Sequence, residues 1–387
     1  MKQGQRKSPG RGCDGLLPSI PVMRNPPMYP ILRGMRKRGV GLLNENGMAE
    51  LKLIERLRAR AAKAPKRELC LGIGDDCALL RPRRGEELAV TTDLSIAGRH
   101  FRLDWHSPES IGHRALARGL SDLAAMGARP VAAFLSLGLP RALVQQKRGR
   151  GAAAEPWVER FFDGLLALAQ AHKTPLAGGD LAEAPLAMAD IVLVGSVPRG
   201  KALLRSGAQP GDLLYVTGSL GGSAAALRKL AEAATSRKRK TAGGPAKAGT
   251  LQQMETLLAR QLYPQPRVAQ GLLLMRRGLA TAALDLSDGL STDLMRLCRE
   301  SGVGAEVEAA ALPVHPGATL EDALNGGEDY ELLFTARPET KIPPSIAGVA
   351  VTCIGRIVRT PRRKPRVVLG GAEWKRPLDA RGWEHFS

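Results

Sequence analysis

Hydrophobic positions change period several times along the chain, and each change predicts an element. Between Ala49 and Ala62, Leu51, Ile54, Leu57 and Ala61 recur at helical spacing. Leu88-Ala89-Val90-Thr91-Thr92-Asp93 is a short apolar run ending in polar residues, which predicts a buried strand. Ser107-Pro108 opens a helix over 108–126: a serine hydroxyl caps free N–H groups, and proline is tolerated in a first turn. Its later part, Ala115 to Met126, is dense in small residues and predicts close packing; Gly127 ends it. Asp122 lies inside this apolar helix, where an unpaired acid is expensive. Strands are predicted at Val131–Leu139, Ala189–Val197, Leu213–Thr217 and Val303–Val307. Helices are predicted at Trp157–His172, Thr250–Leu262, Val268–Gly278 and Asp293–Ser301. Pro198 to Gly200 reads as a hinge.

Glycine and acid meet repeatedly at the ends of these elements. Gly72-Ile73-Gly74-Asp75-Asp76 comes first, and Gly178-Gly179-Asp180 reads as a second turn. Asp285-Leu286-Ser287-Asp288-Gly289 follows a strand, and Gly326-Gly327-Glu328-Asp329 precedes one. Adjacent side chains on an extended segment point to opposite sides, so Asp75 and Asp76 cannot both serve one site directly. One of them can serve a given site, and the other would reach a second site or water. Any one of these acids is explained by turn formation. A surplus of acids in the most apolar segments is harder to explain without cations. The six histidines are scattered, so an oxygen-only donor set favours Mg2+ over zinc. Several Mg2+ ions imply polyphosphate chemistry.

Composition narrows the classes further. The 387 residues suffice for two domains, and 44% hydrophobic content is that of a globular protein. Five cysteines form no C-x-x-C pair, which fits neither a zinc ribbon nor a disulfide scaffold and predicts a reducing, cytoplasmic compartment. No apolar run approaches the roughly 20 residues of a membrane span. Pro18 and Pro21 interrupt the only stretch resembling a signal-peptide core. The net charge of +20 suggests nucleic acid until it is located. Residues 1–47, 141–154, 228–250 and 356–376 together carry +24, so the remainder holds about −4. Residues 1–47 read as a disordered basic extension, and 141–155 and 235–250 as basic insertions. Nucleic acid is therefore not the expected partner, although a binder of that class is the competing reading.

Several catalytic classes are excluded by motif. G-x-x-x-x-G-K-[ST] is absent, as are the protein-kinase set and a G-x-S-x-G elbow. Direct transfer between bound phosphates is the simplest chemistry left. The turn Gly218-Ser219-Leu220-Gly221-Gly222-Ser223 leads into a helix and would suit an anion.

Seven motifs stand in one order: Gly72 to Ala78; Thr92-Asp93 with His100-Phe101; Ser121 to Gly127; Gly178-Gly179-Asp180; Asp285 to Leu290; Gly326 to Leu332; and the terminal Gly382-Trp383-Glu384-His385-Phe386. In that order they resemble the thiamine-monophosphate kinase family of the aminoimidazole ribonucleotide synthetase-like superfamily, over about residues 48–387. The resemblance implies ATP-dependent phosphorylation of thiamine monophosphate to thiamine diphosphate, the final step in making that cofactor. It implies an α+β N-terminal domain (48–198), whose sheet pairs with that of a second subunit in a homodimer, and an α/β C-terminal domain (199–387). By position, Asp76, Thr91, Thr92, Asp93, Asp122, Asp180, Asp285 and Asp288 would hold Mg2+, with Asp122 and Asp288 nearest the chemistry. Gly179, Asp180, Arg205 and Ser287 would touch ATP. His100, Glu328 and Trp383 would contact the thiamine substrate. Gly222 stands where the family often has an acid, so a ligand role there is not carried over. Two other superfamily activities, aminoimidazole ribonucleotide and selenophosphate synthesis, are rivals; the latter wants a reactive cysteine, and Cys77 is poorly placed for one.

Overall fold

The computed structural model describes residues 45–63, 68–144, 156–239, 248–360, 366–371 and 373–383. Residues 1–44 of the expected 1–47 extension, 145–155 of the first basic insertion, 240–247 of the second and the terminal Glu384-His385-Phe386 lie outside these residues. Residues 1–51 and 52–387 form two compact units. Of the first, only 45–51 are described, as backbone of helix α1 (Glu45–Ala61), so helical structure begins before the expected Met48.

The second unit begins with the rest of α1 and a two-stranded ribbon, β1 (Leu69–Leu71) and β2 (Leu79–Leu80), which carries the Gly72–Cys77 turn. Then come β3 (Glu86–Ile96), α2 (Pro108–Ala125), β4 (Arg129–Leu139), the short α3 (Arg141–Val144), α4 (Trp157–Ala171), β5 (Leu176–Glu183) and β6 (Met188–Pro198). The four longer strands form one sheet in the order β3-β6-β4-β5, with only β4 and β5 parallel. Ser107 caps α2 as expected, its hydroxyl accepting the Ser110 N–H at 3.2 Å.

Two expectations fail here. The run at Leu88 is not a buried strand. β3 is a sheet edge with Leu88, Val90 and Leu94 exposed at 46%, 63% and 46%, because only its Ala89–Thr91–Asp93 face meets other elements of the chain. Gly178-Gly179-Asp180 is not a turn either: it lies within β5, pairing with Phe134-Leu135-Ser136 of β4. Glycine and aspartate are poor strand formers, and here tertiary pairing overrides that preference.

α2 is the axis of the unit, with Ile111, Leu116, Leu120 and Leu123 essentially inaccessible to water. Each such burial contributes about 1.5–3 kcal/mol. Its small residues do serve close packing. A Cβ on Gly112 would stand 1.9 Å from the Phe161 carbonyl oxygen of α4, and one on Gly164 of α4 would stand 1.9 Å from that of Glu109. The two backbones therefore touch where glycine removes the side chain.

The second half contains β7 (Leu213–Thr217), α5 (Gly222–Arg239), α6 (Ala248–Leu262), α7 (Val268–Arg277), β8 (Ala282–Asp285), α8 (Leu290–Ser301), β9 (Gly304–Glu308), α9 (Leu320–Asn325), β10 (Leu332–Ala336), β11 (Ser345–Ile346), β12 (Val349–Val358), β13 (Val367–Gly370) and β14 (Lys375–Pro377). The ends of the second insertion are thus helical, as the last turns of α5 and the first of α6. The sheet runs β14-β13-β9-β12-β7-β10-β8, with β11 beside β12, and its only parallel pair is β9 with β13. Leu284, Leu294, Leu333 and Ile354 centre its own core. α2 also reaches this half: a Cβ on Gly271 of α7 would stand 1.9 Å from the Ala124 carbonyl oxygen.

Candidate active site

α2 carries the site on one face. Arg114, Arg118 and Asp122 are four residues apart, so they stack along one stripe, with Ser121 beside them. Opposite them stand Thr91 and Asp93 of β3, Asp285 at the end of β8, and the loop before β10. Two cavities lie along this stripe. One, of 480 Å3, is lined by Thr91, Asp122, Leu204, Arg205 and Asp285. The other, of 540 Å3, is lined by Asp93, His100, Arg118, Ser287, Glu328 and Trp383, among others. Asp122 and Asp285 line both and form the wall between them.

That wall is electrostatically incomplete. Asp122 is held by the Thr91 hydroxyl at 2.5 Å, and the buried Asp285 by the Ser121 hydroxyl at 2.7 Å. Burial raises both carboxyls above the usual range, and mutual repulsion raises Asp285 further. Neither makes an ion pair at contact distance among the described residues, although Arg205 lies near enough to lower both. A buried and a half-buried carboxylate, both under-neutralised and bonded only by hydroxyl groups, suit a hard cation. No three acidic, histidine or cysteine side chains converge into a metal-holding group among the described residues. A cation here would therefore draw further ligands from phosphate, as Mg2+ commonly does.

The loop from Asn325 to Glu331 forms one side of the 540 Å3 cavity. Glu328 and Tyr330 both adopt left-handed backbone, at φ 65° and 51°. For bulky residues this is unusual and costs about 1–3 kcal/mol each. It lets successive side chains fan out. Glu328 enters the cavity, where the Arg114 Nη2 and Gln261 Nε2 donate to its two oxygens at 2.7 and 2.9 Å. Burial would raise the Glu328 carboxyl, but Arg114 and Arg118 hold it down at about 2. Asp329 turns away and accepts the Gly221 and Ser223 N–H groups at 2.6 and 3.2 Å, and burial raises it to about 7. The anion site expected at Gly221-Gly222-Ser223 is thus filled by the chain's own carboxylate. Glu331 accepts from Arg267 at 2.5 and 2.6 Å and from Thr217 at 2.7 Å, anchoring the loop's end.

The remaining parts are positioned by similar local logic. His100 accepts the Ile96 N–H at 3.0 Å through Nδ1, which fixes its ring, and its carbonyl accepts Arg114 at 3.0 Å. One buried arginine therefore holds both His100 and Glu328. Asp293 at the start of α8 accepts the N–H groups of Ser287, Asp288 and Gly289 at 2.9–3.1 Å, folding that turn around its carboxylate. Arg296 bonds Asp288 at 2.5 Å. The C-terminal strap is tied on here too: the Asp288 carbonyl accepts the Trp383 N–H at 3.0 Å, and Thr292 Oγ1 accepts that of Gly382 at 2.9 Å. Trp383 reaches the cavity wall in this way.

Around the two cavities the fold brings together Thr91, Asp93, His100, Asp122, Arg205, Asp285, Ser287, Asp288, Glu328 and Trp383. It leaves four expected residues apart. Thr92 is on the opposite face of β3 from Thr91 and Asp93, as the twofold period of a strand requires. Asp76 is exposed on the Gly72–Cys77 turn; the Asp75 carboxylate accepts its N–H at 2.9 Å, and the Arg58 guanidinium lies against Gly74. Gly179 stands in register with Asp93 through Leu135 and Ile191, hence three strands and about 14 Å away, with Asp180 beside it. Arg114, Arg118, Gln261 and Asp293 are site residues outside the motif roles, and Ser121 and Tyr330 lie within motifs but carried no expected role. The first two could have been found by stepping back along the helix from Asp122 in fours.

Residues 74–197 match the model for the AIR synthase related protein N-terminal domain, and residues 209–367 the model for the C-terminal domain. The fold and site therefore define an AIR synthase related protein. The thiamine-monophosphate kinase of Salmonella typhimurium is 40% identical over 320 residues, covering 80% of this chain and 90% of its own. The crystal structure of thiamine-monophosphate kinase from Stenotrophomonas maltophilia is 39% identical with a TM-score of 0.68, covering 81% and 95%. AaThiL complexed with AMPPCP and TMP is 27% identical with a TM-score of 0.63, covering 89% and 99%. The chain belongs to the thiamine-monophosphate kinase family, and it is an enzyme.

Proposed function

We propose that this enzyme transfers the γ-phosphate of ATP to thiamine monophosphate, giving thiamine diphosphate. The observation that carries the reading is the wall of Asp122 and Asp285 between two cavities, a donor and an acceptor side meeting at under-neutralised carboxylates. The relatives' shared name and the AMPPCP and TMP bound to AaThiL support it.

The 480 Å3 cavity takes the nucleotide, with Arg205 on its phosphates, and Ser287, which lines the 540 Å3 cavity, would meet the transferring phosphate from that side. The 540 Å3 cavity takes thiamine monophosphate, with His100 and Glu328 on its sides and the Trp383 face toward its cationic ring. Mg2+ held by Asp122 and Asp285, with Thr91, Asp93 and Asp288 adjacent, would neutralise and align the phosphates. A phosphate oxygen of the acceptor attacks the γ-phosphorus in line. It is already anionic at neutral pH, so no residue need act as a strong base. The chain's contribution is to hold both phosphates in register and to exclude water. Asp76, Thr92, Gly179 and Asp180 would join this set only if ATP and its metals bridge the sheet.

The apolar edge of β3 supports a homodimer in which the N-terminal sheets pair, since Leu88, Val90 and Leu94 otherwise face water. A division of the folded chain near residue 198 fits the gap between the two family models. No described helix is long and apolar enough to cross a membrane, which accords with a cytoplasmic enzyme. The test is to incubate the purified chain with γ-labelled ATP and thiamine monophosphate, offering aminoimidazole ribonucleotide precursor and selenide separately. Label recovered in thiamine diphosphate is expected; label moving only with a rival acceptor would refute the assignment.

A further inference from the structure

Arg118 is a charge within the site that the kinase reading has not used. It lines the 540 Å3 cavity, one helical turn from Asp122, with 15% of its side chain exposed. Its Nη2 lies 2.7 Å from Asp93 Oδ1, and its Nη1 lies 3.8 Å from Glu328 Oε1. Its Nε is buried without a hydrogen-bond partner among the described residues. Arg118 makes no hydrogen bond to Glu328, whose two carboxylate oxygens are already bonded by Arg114 and Gln261, and supports it through charge alone. Asp93 belongs to the group proposed to surround Mg2+, so a bound cation would compete for the nearer of the two carboxylates that Arg118 faces among the described residues.

A guanidinium offers five donors in a planar fork that matches two phosphate oxygens. Burying it with donors unmet is costly unless a ligand completes them. Two other arginines line the same cavity, but neither is as well placed. Arg99 is exposed, and Arg381 is 71% exposed and paired with Asp379 at 3.7 Å. Water and salt screen such charges, whereas Arg118 acts in a drier environment.

Building on the kinase reading above, we propose that Arg118 receives the phosphate of thiamine monophosphate. It exchanges its ion pair with Asp93 for two phosphate oxygens, and so makes the site select the phosphorylated vitamin over thiamine itself. Arg114 stays in place, holding Glu328 and His100 for the thiamine moiety.

The experiment is isothermal titration of thiamine monophosphate and of thiamine into the full chain with Mg2+ and a non-hydrolysable ATP analogue, for wild type, Arg118→Met and Arg118→Lys. Steady-state kinetics accompany each. For Arg118→Met, binding of thiamine monophosphate should weaken about 10- to 100-fold. Thiamine binding should stay within about twofold, and KM should rise for thiamine monophosphate but not for ATP. Arg118→Lys, a point charge without the fork, should recover part of the loss. Equal weakening of both ligands would mean that Arg118 only holds Asp93 and Glu328 in place. That result, or no change in either ligand, overturns the proposal. Should Arg118→Met not fold, Arg118→Lys decides alone: a selective loss for the phosphorylated ligand supports the assignment, and none refutes it. Wild-type turnover tests the kinase reading separately, since a wild type that ignores thiamine monophosphate sinks that reading whatever the variants do.

Discussion

Glu328→Gln isolates the electrostatics of the cavity, because the amide keeps the shape and removes the charge. In the folded chain burial raises this carboxyl, yet Arg114 and Arg118, with hydrogen bonds from Arg114 and Gln261, bring it to about 2 against an ordinary 4.5. That difference corresponds to about 3 kcal/mol of stability. Because the folded value is depressed, the contribution is complete above pH 4.5 and is lost as pH falls through about 2. In the variant the Arg114 side chain, 5% exposed, has lost its counter-charge, which costs a similar amount. Urea unfolding of both proteins should show a gap of about 3 kcal/mol between pH 5.5 and 7. The gap should narrow by about 1 kcal/mol at pH 4, where the unfolded wild type binds protons and the folded one does not. A gap below about 1 kcal/mol at pH 7, or one that does not change down to pH 3.5, would refute the reasoning.

Three further outcomes follow from other parts of the molecule. Asp122→Asn should lower turnover by at least about 100-fold while leaving the melting temperature equal or higher, since it removes a carboxylate that burial already penalises. Near-normal turnover with ordinary Mg2+ dependence would break the shared-wall model. Gly112→Ala should destabilise the fold by about 3 kcal/mol or more, seen as a lower urea midpoint, because the added methyl meets the Phe161 carbonyl at 1.9 Å. Leu94→Lys on the outer face of β3 should convert a dimer to a monomer in analytical ultracentrifugation, with secondary structure unchanged by circular dichroism.

Much of the site was legible before any coordinates because phosphate chemistry needs acids in predictable company. Asp122 stood out as an acid in an apolar helix, and Asp285 and Asp288 as acids flanking a serine after a strand. Ser107 and Pro108 likewise announced where α2 begins. Spacing also held information that went unused: Arg114 and Arg118 are one and two turns before Asp122, but arginines attract no attention in a chain with 57 basic residues. Gly178-Gly179-Asp180 misled for the opposite reason. Its residues prefer turns, and only pairing with β4 keeps them extended.

What the sequence determined by itself was the chemistry on offer: the order of the motifs, the oxygen donors, the glycines that permit α2 and α4 to touch, and the strand period that separates Thr92 from Thr91 and Asp93. These are local properties, set by spacing and side-chain type. Only the tertiary structure decided which charges meet. It filled the Gly221–Ser223 helix start with Asp329, gave Glu328 to Arg114, left Asp122 and Asp285 under-neutralised, and stood Gly179 three strands from Asp93. Those outcomes depend on contacts between residues tens to hundreds of positions apart, where burial and charge act through space and no local pattern records them.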